Sequence, residues 1–93
     1  MQDKIFREFL EQSGQFTKKA ITSRVAKANV AEHIIGCSLD VVVADDDKMF
    51  DALVALQPHE DPKHNPMQNA VRKYYIFKNG KEFPQLRYYK KHL

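Results

Sequence analysis

Asn65-Pro66-Met67-Gln68-Asn69-Ala70-Val71-Arg72-Lys73-Tyr74-Tyr75-Ile76-Phe77-Lys78-Asn79-Gly80 is the stretch that decides the fold class. Asn65 followed by Pro66 predicts a helix start, with proline at the first helical position and Gln68 three residues after the cap, as in a capping box. Asn79-Gly80 predicts the stop. Between them Met67, Ala70, Val71, Tyr74 and Phe77 recur at offsets of three, four, seven and ten, the buried stripe of an amphipathic helix. Arg72, Lys73 and Lys78 then point outward or sideways, and Tyr75 and Ile76 fall at the edges of the stripe.

Helical periodicity also governs the residues before this stretch. Ile5, Phe6, Phe9 and Leu10 form one stripe of a short helix over residues 2 to 13 that Gly14 can end. Thr17 is a fitting N-cap for a long helix bearing Ala20, Ile21, Val25, Ala28, Ala31 and Ile35, with Gly36 as its stop. Lys18 and Lys19 sit in its first turn, where the helix dipole disfavours cations, a hint of an external anion. Leu39-Asp40-Val41-Val42-Val43 has strand propensity but no second β-rich run to pair with, so a tight helical turn or an extended connector is expected. Asp45, Asp46 or Asp47 then caps a helix with Met49, Phe50, Leu53, Val54 and Leu56 on its buried side. Residues 57 to 66, rich in proline and polar groups, form a loop. Pro84 begins a final helical turn or two carrying Leu86, Tyr88 and Tyr89.

The chain has 93 residues, 43% hydrophobic and 29% charged, which fits one globular domain over residues 1–93 and leaves no apolar run long enough for a membrane span. Met1-Gln2-Asp3-Lys4 lacks the apolar core of a signal peptide, so a soluble, cytoplasmic protein is expected. Cys37 is the single cysteine, which removes an internal disulfide or a multi-cysteine zinc site and reads best as a small buried hydrophobe. The net charge of +3 conceals segregation. Residues 1–31 carry six Lys/Arg against three Asp/Glu, residues 32–61 carry eight acids against Lys48, and residues 62–93 carry eight bases against Glu82.

The catalytic inventory is poor, and no enzyme is expected. Gly14, Gly36 and Gly80 are each explained by a helix end, so no glycine-rich phosphate loop exists, and there is no Gly-x-Ser-x-Gly elbow. Glu8 with Glu11 reads as solvated surface. His59 and His64 are five apart with Pro62 between them, which fails the four-residue spacing of a helical zinc-protease motif. His33 and His92 add no adjacent ligands. Three consecutive aspartates lack the alternating geometry of a calcium loop and are better explained as cap and first-turn charge. Neither a metal nor a cofactor is expected.

The feature that stands above this background is the interleaving of bases and tyrosines in the last third, Arg72-Lys73-Tyr74-Tyr75 and then Arg87-Tyr88-Tyr89-Lys90-Lys91. Lys and Arg neutralise phosphates, and exposed tyrosine donates to a phosphate or stacks on an unpaired base. Tyr74 and Phe77 lie on the core stripe and are read as core. Tyr88 and Tyr89 have no period that assigns them.

Ala20-Ile21-Thr22-Ser23-Arg24-Val25, then Glu32, Gly36 and Ser38-Leu39-Asp40, and finally Asn69-Ala70-Val71-Arg72-Lys73-Tyr74-Tyr75-Ile76-Phe77 resemble the SAM-like core-binding domain that precedes the catalytic domain in phage-integrase-type tyrosine recombinases. The resemblance spans about residues 17–80, with the helix over 2–13 and the basic tail 81–93 outside it. It implies a small all-α orthogonal bundle of four to five helices, SAM-like, that clamps one face of duplex DNA. The Arg, His-x-x-Arg and Tyr constellation of the recombinase catalytic domain is missing, so strand cleavage by this polypeptide alone is not implied. The alternatives are a fragment cut at a domain boundary, a stand-alone DNA-binding accessory, and a domain that kept the fold and lost the role.

These readings give a non-catalytic module that binds double-stranded DNA through Lys18, Lys19, Arg24 and Lys27 on one helix, Arg72, Lys73 and Lys78 on another, and Arg87, Lys90 and Lys91 in the tail. Contact with about five phosphates corresponds to a salt slope of log K near −4.5. Base readout falls to Arg24, Gln68 or Asn69. The rival reading is a protein-interaction or regulatory module whose acidic middle third or aromatic tail docks a protein partner.

Overall fold

A computed structural model describes residues 1–91, so His92 lies outside the described residues. Five α-helices follow one another: α1 (Asp3–Gln12), α2 (Lys18–Ile35), α3 (Leu39–Val43), α4 (Asp46–Leu56) and α5 (Pro66–Asn79). Short 3-10 turns occur at Gln57–His59 and Leu86–Tyr88. The protein is all-α, with no strand among the described residues beyond a single bridge between Asp61 and His64. None of these helices is long and apolar enough to cross a membrane.

Local chemistry sets most boundaries. The Thr17 hydroxyl accepts from the Ala20 amide at 3.1 Å, and α2 ends at Gly36, whose φ of 76° is a left-handed conformation that side chains disfavour. The ambiguous valine run is a helical turn, because Leu39, Val42 and Val43 then fall on one side and are all buried. Asp45 caps α4, its Oδ1 accepting from the amides of Asp47 at 2.9 Å and Lys48 at 3.2 Å.

The cap of α5 differs from the expected capping box. The Asn65 side chain makes no cap bond. Glu60 reaches across from the preceding loop instead, accepting from the amides of Met67 and Gln68 and from the Gln68 side chain at 3.2 Å. A carboxylate placed at the positive end of a helix dipole does this work better than a neutral amide.

One cluster of buried side chains joins all five helices, and α5 packs against α1, α2, α3 and α4. Phe6 and Leu10 of α1, Ile21, Val25, Ala28 and Ala31 of α2, and Met49, Leu53 and Leu56 of α4 lie on the expected faces, Ala52 is buried beside them though not expected, and Phe50 and Phe77 are half-buried. Three other positions depart further. Ile5 and Val54 are exposed, since a short helix touching its neighbours on one side buries a narrower stripe than the sequence offers. Tyr75 is fully buried rather than at an edge, because the chain after α5 folds back and sets Phe83 edge-on against it at 5.2 Å. The rings form two runs on either side of α5, one through Phe9, Phe77, Tyr74 and Phe6, the other through Tyr75, Phe83, Tyr89 and Phe50.

Replacing Glu60 with alanine is expected to destabilise the fold by about 1–2 kcal/mol, the value of a lost N-cap, while Asn65→Ala changes it by less than about 0.5 kcal/mol. Urea denaturation of the two variants side by side checks the order.

Candidate functional site

The acidic middle third and the basic last third meet inside the molecule. Three tyrosines each donate to an aspartate: Tyr74 to Asp40 at 2.5 Å, Tyr75 to Asp46 at 2.8 Å and Tyr89 to Asp47 at 2.6 Å. Lys91 bridges to Asp51 at 2.8 Å, and Lys78 lies 3.4 Å from Asp40 while also bonding the Gln2 side chain. The three consecutive aspartates therefore have separate roles, one as a helix cap and two as acceptors for phenols. No group of three His, Cys, Asp or Glu side chains suited to a metal occurs among the described residues.

These contacts move proton affinities in opposite directions. Burial opposes the charge on Asp40, but hydrogen bonds from Tyr74 and Lys78 and the nearby Lys78 charge outweigh it and hold the carboxyl below its ordinary 3.8. Burial, then the bond to Asp46, pushes Tyr75 up to about 12. Tyr74 is raised by burial and by Asp40, and Tyr89 by its bond to Asp47.

Lys78 and Lys91 are the lysines or arginines held in ion pairs among the described residues, and the other cations are told apart by where they lie. Among the described residues no acid lies within ion-pair distance of Lys18, Lys19, Arg24, Lys27, Arg72, Lys73, Arg87 or Lys90. Three of them converge. Arg24 from α2, with Asn69, Arg72 and Lys73 from α5, lines an open cleft of about 480 Å³ that Glu82, Phe83 and Gln85 of the tail close on the far side. Arg72 donates through Nη1 to the carbonyls of Phe83 at 2.8 Å and Pro84 at 3.2 Å, which anchors that wall. Burial lowers its pKa, and the nearby Glu82 carboxylate works against that shift.

Phe16, which does not itself line the cleft, contacts two of its cations. The Arg24 guanidinium carbon is 4.8 Å from its ring centroid and the Lys73 ammonium 5.6 Å, so one ring steadies two cations. Sequence reasoning missed Phe16, because it lies between Gly14 and the cap of α2 with no period to place it. Asn69 is exposed in the cleft, whereas the Gln68 side chain is buried on Glu60 and does not face a ligand.

The remaining basic residues are dispersed. At 3.6 residues per turn Lys27 shares the flank of Arg24, Lys18 falls on the opposite flank beside Arg7 and Glu11, and Lys19 faces outward. Arg87 covers the exposed Tyr88 ring and bonds Gln85 at 3.1 Å, which places it at the rim of the cleft. Lys90 is exposed. Tyr89 is half-buried, stacked on Phe50, and does not present a free face. Cys37 is also half-buried. No family model, curated protein sequence or solved structure matches this chain.

The two kinds of shift predict opposite pH responses. Asp40 binds its proton less tightly in the fold, so its contribution to stability is complete above 3.8 and disappears as pH falls through the lower folded value. Tyr75 binds its proton more tightly, so its contribution is complete below 10.0 and is lost as pH rises toward about 12. Asp40→Asn is expected to flatten the acid limb of a urea-midpoint profile, and Tyr75→Phe the alkaline limb.

Proposed function

We propose that this helical domain is a non-catalytic, double-stranded DNA-binding module that contacts the phosphate backbone along the groove side of α2 and α5. The observation that carries the reading is the convergence of Arg24, Arg72 and Lys73 on one open cleft, with Lys27 on the same flank and none of the four held in an ion pair, Glu82 being the one acid in the lining. Backbone phosphates bind by neutralisation of such charges and release of counterions. The resemblance to recombinase core-binding domains adds support, since the residues that carry it include Arg24, Arg72 and Lys73. Lys18, Lys19, Arg87 and Lys90 serve as peripheral contacts reached by a duplex lying across the cleft. Lys78 and Lys91 contribute least, because Asp40 and Asp51 already hold them.

The protein-docking alternative has less to work with. Asp40, Asp46, Asp47 and Asp51, half of the acids in the middle third, bond to tyrosines and lysines of the same chain, and Tyr89 is taken up by Phe50 and Asp47.

Charge reversal decides between surfaces. Lys27→Glu with Lys73→Glu is expected to lower affinity for a short duplex at least tenfold at low salt and to reduce the salt slope by about 1.8, two phosphates' worth. Lys48→Glu with Lys63→Glu changes net charge equally but lies away from the cleft, and it is expected to retain most of the binding. Equal losses from both pairs in a fluorescence anisotropy titration would show only a general charge effect and would remove the proposed surface.

A further inference from the structure

The cleft is built more tightly than contact with a smooth duplex backbone requires. The Arg24 guanidinium is fixed over Phe16, and its Nε is sealed from solvent without a hydrogen-bond partner. No hydrogen bond among the described residues engages its two Nη groups. A guanidinium held in this way offers a fork to two oxygens of one anion, with the ordering of a flexible side chain already done. Arg72 is steadied by the carbonyls of Phe83 and Pro84, and Lys73 by the Phe16 ring, 5.6 Å from its ammonium. Three cations stand against one acid, Glu82, so the lining carries an excess of two positive charges.

That excess selects among phosphates. A diester inside a duplex carries one negative charge and is flanked by sugars on both sides. A terminal phosphomonoester carries about −1.5 to −2 at neutral pH, and it projects freely from the strand end. At about 480 Å³ the cleft falls within the range of roughly 300–1,000 Å³ typical of small-ligand sites, enough for a phosphate with its attached sugar. We infer that the cleft between α2, α5 and the tail is a site for the terminal phosphate of a nucleic-acid strand, with Arg24 as its bidentate donor. This inference rests on the DNA-binding reading above and assigns the cleft a preference for strand ends over continuous duplex.

Three duplexes of one sequence test it with the full chain: hydroxyl at every end, phosphate at the 5′ ends, and phosphate at the 3′ ends. Anisotropy titrations are expected to show one phosphorylated form binding about tenfold tighter than the hydroxyl form, the gain from one added charge-assisted contact, and the two phosphorylated arms identify which end is read. Arg24→Lys keeps the charge but removes the fork, and Lys73→Gln removes the second cation over Phe16. Each is expected to bring the ratio between phosphorylated and hydroxyl duplex close to one. Equal binding of all three duplexes by the wild-type protein overturns the inference and leaves the DNA-binding reading standing, as does a preference that survives both substitutions. Absence of binding to every duplex at low salt overturns both.

Discussion

A phenol at the centre of a helical protein is tolerated only when its hydroxyl finds an acceptor, and α5 places two of them there side by side. Tyr74 and Tyr75 are both essentially unexposed. An unmade hydrogen bond at such a position costs roughly 1–3 kcal/mol, a large fraction of the stability of a domain this size. Adjacent residues on a helix point about 100° apart, so one acceptor cannot serve both. The acceptors are Asp40 at the start of α3 and Asp46 at the start of α4. The two short acidic helices are thereby fixed against α5 from two directions, and the geometry of the rest of the molecule follows from that placement.

This arrangement changes what the charge pattern means. Residues 32–61 and 62–93 carry equal and opposite charge, which in isolation describes a dipolar molecule with an acidic face and a basic face. In the fold much of that charge is joined within the chain. Phenols approach the carboxylates of Asp40, Asp46 and Asp47, and lysines approach Asp40 and Asp51. Exposed pairs such as Lys91 with Asp51 add little stability individually. They do tie Lys78 and Lys91 to carboxylates of the same chain, and the remaining basic residues are distinguished by position, Arg24, Arg72 and Lys73 sharing one cleft.

How far the sequence made this legible depended on the range of the interaction concerned. Thr17 and Gly36 act within four residues of themselves and their roles were readable from spacing, whereas spacing left Asp45, Asp46 and Asp47 open as the cap of α4 and the structure selects Asp45. The stripes of α2 and α4 followed the helical period, and Val54 departed from it only because α4 has neighbours on one side. Contacts across the fold were not readable. Glu60 replaced Asn65 as the cap of α5 through a loop whose path no local rule specifies. Tyr75 was drawn inside by Phe83, and Phe16 joined Arg24 to Lys73 across α2 and α5. Of the expected basic residues the fold gathered Arg24, Arg72 and Lys73 into one cleft, a grouping that needs the packing of α2 on α5 and has no signature in either helix.

The tail ties the two halves of this account together. Its residues Glu82, Phe83 and Gln85 form one wall of the basic cleft, yet nothing in that wall is regular secondary structure able to hold its own position. It stays in place because Phe83 packs on Tyr75, because Tyr89 stacks on Phe50 and bonds Asp47, and because Arg72 grips the carbonyls of Phe83 and Pro84. The acidic start of α4 thus acts on the basic cleft at a distance, by holding down the segment that shapes it. Of the tail's bases Lys91 alone pairs with the acidic segment among the described residues, so the tail is held mainly by rings, by a phenol on a carboxylate and by the grip of Arg72. Arg72 is also one of the cations of the cleft, so one residue both fixes the tail and presents positive charge beside it.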